Sequence, residues 1–159
     1  MSVKTVSLAM GLSLIGTLMG GALAVPVDFS GTLVEALPCS INNGKLIEVD
    51  FGNGVIIRNI DGVRYSEPIT YQIACSVPGT VRLSVNGTQT LFNGAAIQTD
   101  VPGLGILLKQ EGQGFTLNTP ITVNLSNPPV LTAVPVSDPA QPPSPGAFTA
   151  KATLLAEYQ

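Results

Sequence analysis

The chain has 159 residues, 45% of them hydrophobic and 11% charged, with a formal net charge of −3. That length holds one domain, and the composition excludes a disordered polyelectrolyte. Seven basic residues against ten acidic ones leave no basic face for nucleic acid or anionic lipid.

Residues 1–24, MSVKTVSLAMGLSLIGTLMGGALA, carry Lys4 as their only charge, then an apolar run from Leu8, then Ala22 and Ala24 around Leu23. This is the pattern of a secretory signal peptide with an A-x-A cleavage site, expected to make Val25 the first mature residue. A retained membrane anchor is the competing reading, since the uncharged run from Thr5 to Val27 is nearly long enough to span a bilayer. The cleavage pattern, the glycines and the lack of basic residues after the run argue for export. Removing Lys4 leaves six basic and ten acidic residues, a net charge of −4.

Residues 25–33 alternate, with Val25, Val27, Phe29, Gly31 and Leu33 on one face and Pro26, Asp28, Ser30 and Thr32 on the other. Two cysteines follow, Cys39 and Cys75, and there are no others. In an oxidising compartment such a pair is expected to form a disulfide, contributing roughly 3.8 kcal/mol through loop closure. Metal binding is the alternative, and the absence of histidine and of any C-x-x-C spacing leaves it without ligands.

After residue 25 no helical period runs past two turns, and thirteen prolines with seventeen glycines punctuate the whole chain, so the class is all-β. EPITYQIACSV places Ile69, Tyr71, Ile73, Cys75 and Val77 on one face. GTVRLSVNG repeats the pattern with Val81, Leu83 and Val85, and Asn86-Gly87 is expected to close it with a turn. GLGILLKQEGQGFTLNT reads as two short strands joined through Gly112 and Gly114. PITVNLSNPPVLTAVPVSDP supplies at least one more, interrupted by Pro128 and Pro129, and a stiff proline-rich connection, DPAQPPSPG, leads into the last segment. That segment, GAFTAKATLLAEYQ, reads as one strand with Phe148, Ala150, Ala152, Leu154, Ala156 and Tyr158 on a single face. Short strands at this spacing suggest a sandwich of the immunoglobulin type.

Candidate chemistry is sparse. Without histidine the Ser-His and Cys-His nucleophile arrangements cannot be built. Glu48 and Asp50 share a strand face in IEVDFG, but a glycosidase pair normally comes from different elements, so a solvated face is the better reading. Gly52-Asn53-Gly54 and Gly112-Gln113-Gly114 lack the helix and lysine of a phosphate loop. The expectation is no enzyme, no cofactor and no metal.

The mature chain resembles the pilin subunits of the bacterial chaperone–usher pathway, the family of type 1 and P fimbriae. The resemblance rests on the signal peptide, the extension VDFSGTLVEALPCSI leading into the first cysteine, the run PCSINNGKLIEVDFG, the position of Cys75, and a C-terminal motif with Gly146 fourteenth from the end and Tyr158 penultimate. It implies an incomplete immunoglobulin-like sandwich lacking its seventh strand, completed by a donor strand from another chain. The organisation expected is a signal peptide over 1–24, a donor-strand extension over 25–37 and a pilin domain over 38–159.

By the same resemblance Val25, Val27, Phe29, Gly31 and Leu33 are donor residues. Gly146, Phe148, Ala150, Ala152, Leu154, Ala156, Tyr158 and Gln159 form the acceptor groove and chaperone contact, and the small alanines leave room for inserted side chains. Expected partners are neighbouring pilin subunits, a periplasmic chaperone, an outer-membrane usher and a tip adhesin, at the cell-surface fimbrium of a Gram-negative bacterium. The stretch CSINNGKLIEVDFG resembles minor pilins, adaptor or tip-fibrillum components, more than major rod subunits. A major or terminator subunit, and a free-standing secreted adhesin or ligand-binding sandwich, are the alternatives; the last should refold alone, whereas an incomplete pilin should need a donor.

Overall fold

The computed structural model describes residues 27–32 and 39–158 of two compact units, Met1–Leu33 and Val34–Gln159. The signal-peptide reading of residues 1–24, donor positions Val25 and Leu33, and the terminal Gln159 lie outside the described residues. In the first unit, residues 27–32 have no regular secondary structure and are all exposed.

The second unit is built from ten strands and two single 3-10 turns, with no α-helix among the described residues. The strands are β1 (Cys39–Ile41), β2 (Glu67–Ile69), β3 (Ile73–Cys75), β4 (Thr80–Asn86), β5 (Ala96–Gln98), β6 (Leu104–Gln110), β7 (Gln113–Gly114), β8 (Ile121–Asn124), β9 (Leu131–Ser137) and β10 (Thr153–Tyr158). They form a two-stranded sheet β1-β3, a three-stranded sheet β10-β4-β8 and a five-stranded sheet in the order β2-β9-β6-β5, with β7 folded back on β6. The fold class is all-β, a sandwich of the immunoglobulin type as the strand spacing suggests.

The core lies where the larger sheets face each other. Val81 and Leu83 of β4 are 0% exposed, and Ile106, Leu108, Leu131, Ala133 and Val123 pack with them at 5% or less. Burying each larger aliphatic side chain contributes about 1.5–3 kcal/mol, so this cluster dominates the stability of the unit. Phe115 and Leu117, on the segment after β7, complete it.

Alternation over residues 67–77 is as the sequence predicts: the odd-numbered positions are half-buried and the even-numbered ones exposed. The hydrogen-bond partners change midway, however. β2 pairs with β9, whereas β3 pairs with β1, so the chain passes from one sheet to another through Thr70, Tyr71 and Gln72. The Tyr71 hydroxyl donates to the Pro129 carbonyl at 2.6 Å at this crossing, and burial pushes its pKa up. Cys39 and Cys75 are directly opposite one another in the β1-β3 register and form the expected disulfide, closing a separation of 36 residues.

Two turn readings separate. Glu111 and Gly112 both have positive φ, +49° and +83°, which makes β6-β7 a two-residue hairpin of the primed type, with Gly114 inside β7. Asn86-Gly87 is not a turn. The Asn118 side chain takes the Gly87 N–H and donates to the Gly87 carbonyl, both at 3.0 Å, standing in for a neighbouring strand. A Cβ on Gly87 would lie 3.3 Å from the Cβ of Ala152, so the glycine permits a close approach of the last segment.

Candidate functional site

The last segment is not one continuous strand. Gly146 has φ +157°, a conformation L residues rarely adopt, with open space where its Cβ would be. Phe148 is half-buried, its ring 6.0 Å from that of Phe51 at an interplanar angle of 38°. Phe51 ends the alternation Ile47, Val49, Phe51, each half-buried, while Glu48 and Asp50 are exposed, and Asp50 caps the following turn by accepting the Gly52 N–H at 2.8 Å.

Thr149 is then clamped. Its N–H and hydroxyl donate to the two carboxylate oxygens of Asp100 at 2.7 and 2.9 Å, and its carbonyl accepts the Asp100 N–H at 3.1 Å. The two donations from Thr149, backbone first, hold the Asp100 carboxyl below its ordinary pKa. Ala150 forms a single β-bridge with Thr99, just past β5. The segment therefore starts beside the five-stranded sheet and crosses at Lys151 and Ala152 to become β10 in the three-stranded one. Ala150 and Ala152 are exposed, whereas Leu154, Ala156 and Tyr158 pack on the core.

β10 pairs antiparallel with β4 over its full length, from Thr153 opposite Asn86 to Tyr158 opposite Val81. The penultimate Tyr158 donates its hydroxyl to the Pro78 carbonyl at 3.3 Å. A Cβ on Gly79, whose φ is +149°, would come within 3.0 Å of that hydroxyl.

The other edge of β10 has no hydrogen-bonded strand among the described residues. β1 runs near it, with Cα atoms approaching within 8 Å. Two strands flanking a third stand about 9.5 Å apart, so a strand seated between β1 and β10 would need the gap to widen. Beside this edge Leu154, Ala156 and Tyr158 of β10 and Ile41 of the nearby β1 pack against the core while remaining only partly buried, as do Phe51 and Phe148 ahead of β10. The result is an apolar strip bordered by a free strand edge, the arrangement that a further strand satisfies.

Of the donor residues read from the sequence, Val27 and Phe29 are 69% and 93% exposed, and nothing approaches within 4 Å of a Cβ placed on Gly31. Among the described residues no group of histidine, cysteine or acidic side chains is arranged to hold a metal ion. The sequence reading did not single out Phe51 or Asp100. Phe51 was signalled by the alternation of its segment, but Asp100, in Asp100-Val101-Pro102-Gly103, carried only a loop signature.

A family model described as fimbrial protein matches residues 27–159. The chain is 43% identical over 143 residues to the uncharacterized fimbrial-like protein YfcQ of Escherichia coli (strain K12), a match spanning 84% of this chain and 86% of that protein. It is 32% identical over 122 residues to the minor fimbrial protein PrsF of Escherichia coli, covering 74% of this chain and 69% of the other. The solved structure of the P pilus adaptor subunit PapF superposes with a TM-score of 0.58 at 29% identity, over 79% of this chain and 98% of that one.

Proposed function

The chain belongs to the fimbrial protein family and is a pilin subunit of the chaperone–usher type, and from that premise we propose that it is a minor subunit built into a surface fimbria by donor-strand complementation. As a fimbrial subunit it assembles with other pilin subunits at the surface of a Gram-negative bacterium. The observation that carries the mechanistic reading is the half-buried apolar strip beside the unpaired edge of β10.

A donor strand laid along that edge satisfies backbone N–H and C=O groups, and its alternate side chains cover Leu154, Ala156 and Phe148. A periplasmic chaperone supplies the first such strand, and at the outer-membrane usher a neighbour's extension replaces it. Val25, Val27, Phe29, Gly31 and Leu33 offer the same kind of strand to the next subunit. The likeness to PrsF and PapF favours a minor or adaptor position over a rod position.

The test is to purify the subunit with its chaperone, add synthetic extension peptides from candidate neighbours, and follow exchange by native electrophoresis. Release of chaperone with retention of a folded, heat-resistant subunit is expected. A stable monomer that needs no chaperone and binds no peptide would overturn the reading and favour a free-standing sandwich.

A further inference from the structure

The sequence contains four Asn-Gly dipeptides, at 43–44, 53–54, 86–87 and 93–94. Glycine offers no side chain to shield its backbone nitrogen, so in such a pair that nitrogen can attack the preceding side-chain amide carbon. A bond forms between the Gly nitrogen and Asn Cγ, the Cγ–Nδ2 bond breaks and ammonia leaves. Water then opens the resulting five-membered imide at either carbonyl, giving aspartate or isoaspartate.

The fold treats the four differently. Gly87 gives its N–H to Asn118 Oδ1 at 3.0 Å, so the attacking nitrogen is engaged, and Asn86 is paired with Thr153 at the end of β4. Asn93 is fixed at three points: Oδ1 accepts the Ala95 N–H at 3.0 Å, its own N–H goes to Thr90 Oγ1 at 3.0 Å, and its carbonyl takes the Thr90 hydroxyl at 2.9 Å. Asn43-Gly44 is exposed as well, but it sits in a single tight turn with both residues at positive φ, +53° and +74°, closed by the Lys45 N–H on the Asn42 carbonyl at 3.0 Å, so its backbone must leave that turn before the ring can close. Asn53-Gly54 has none of this. Both residues are exposed, and among the described residues neither the Asn53 side chain nor the Gly54 N–H has a hydrogen-bond partner. Nothing lies within 4 Å of a Cβ placed on Gly54, and the hydrogen bond of the preceding turn, from the Gly52 N–H to Asp50, stops short of Asn53.

We infer that Asn53 is the site of spontaneous deamidation in the folded subunit. The product adds a negative charge, and in the isoaspartate form a backbone methylene, two residues from the Phe51 ring that meets Phe148 of the last segment. This holds whatever strand fills the β10 edge.

The experiment is to incubate the folded subunit, purified from its host, in mildly alkaline buffer and to quantify aspartate and isoaspartate at each dipeptide by peptide mass spectrometry. The Asn53 peptide should convert roughly fivefold or more faster than those bearing Asn86 and Asn93, because each of the latter must first break a net hydrogen bond. In denaturant all four should convert at similar rates. Gly54→Ala, which fits the open space and needs no positive φ, should lose conversion at Asn53 while leaving the fold intact. Conversion of Asn43, Asn86 or Asn93 as fast as Asn53 in the folded chain, or undiminished conversion in Gly54→Ala, would overturn the assignment.

Discussion

Leu83 on β4 and Ala156 on β10 are direct cross-strand partners facing the same core, yet Leu83 is 0% exposed and Ala156 is only half-buried. The same holds for Val81 with Tyr158 and for Val85 with Leu154. Chemistry and alternation do not distinguish the two strands; neighbours do. β4 lies between β10 and β8, whereas among the described residues β10 has β4 alone. Alternation decides which side of a strand turns inward, and a second neighbour decides whether that side is sealed.

The largest expected effect tests this contrast directly. Leu83→Ala should destabilise the subunit by about 3 kcal/mol in urea unfolding, the usual cost of a cavity in a sealed core. Leu154→Ala should cost only about 1 kcal/mol when no donor strand is present, since its side chain is already partly in water. With a donor peptide bound, the cost of Leu154→Ala should rise toward that of Leu83→Ala. Equal costs in the donor-free subunit would show that the β10 side is as closed as the β4 side.

A smaller effect is expected where Tyr158 rests on the turn before β4. Gly79→Ala forces an unfavourable φ and brings a methyl against the Tyr158 hydroxyl, at an expected cost of about 2 kcal/mol in thermal unfolding. Removing the hydroxyl with Tyr158→Phe leaves the ring carbon 3.7 Å away, so the cost of Gly79→Ala should be smaller in that background. An unchanged cost would mean that only the backbone conformation matters there.

The smallest effect concerns the Asp100 clamp on Thr149. The folded pKa of Asp100 is depressed below its ordinary 3.8, so its contribution to stability is fully present above 3.8 and is lost as pH falls through the folded value. Asp100→Asn keeps one acceptor for the Thr149 N–H but loses the carboxylate, and it should lower the unfolding midpoint near neutral pH. In strong acid the variant and the parent should converge. A difference that persists there would assign the effect to packing instead of charge.

Much of this was legible in the sequence, for identifiable reasons. The alternation of Ile69, Tyr71, Ile73 and Cys75 gave the inward face correctly, because side-chain direction is a local property. The change of sheet between β2 and β3 was not legible, since a hydrogen-bond partner is chosen by distant residues such as Leu131 and Ile41. The break at Lys151 and Ala152 was hidden for the same reason: small and polar residues there satisfy the strand period while a clamp 49 residues away holds Thr149 to the other sheet. Asn86-Gly87 misled because its glycine serves close contact with Ala152, a use that the dipeptide shares with a turn.

The bridge between Cys39 and Cys75 has a mechanical consequence. Tension delivered to the chain at Cys39 passes through sulfur to Cys75 and on toward β4, and the 36-residue separation between the two is taken out of the load path. Hydrogen bonds within that loop cannot be sheared by end-to-end force while the bridge is intact. The ladder between β4 and β10, with its six residue pairs, lies wholly outside that loop, so the bridge shields none of it from a pull on the subunit.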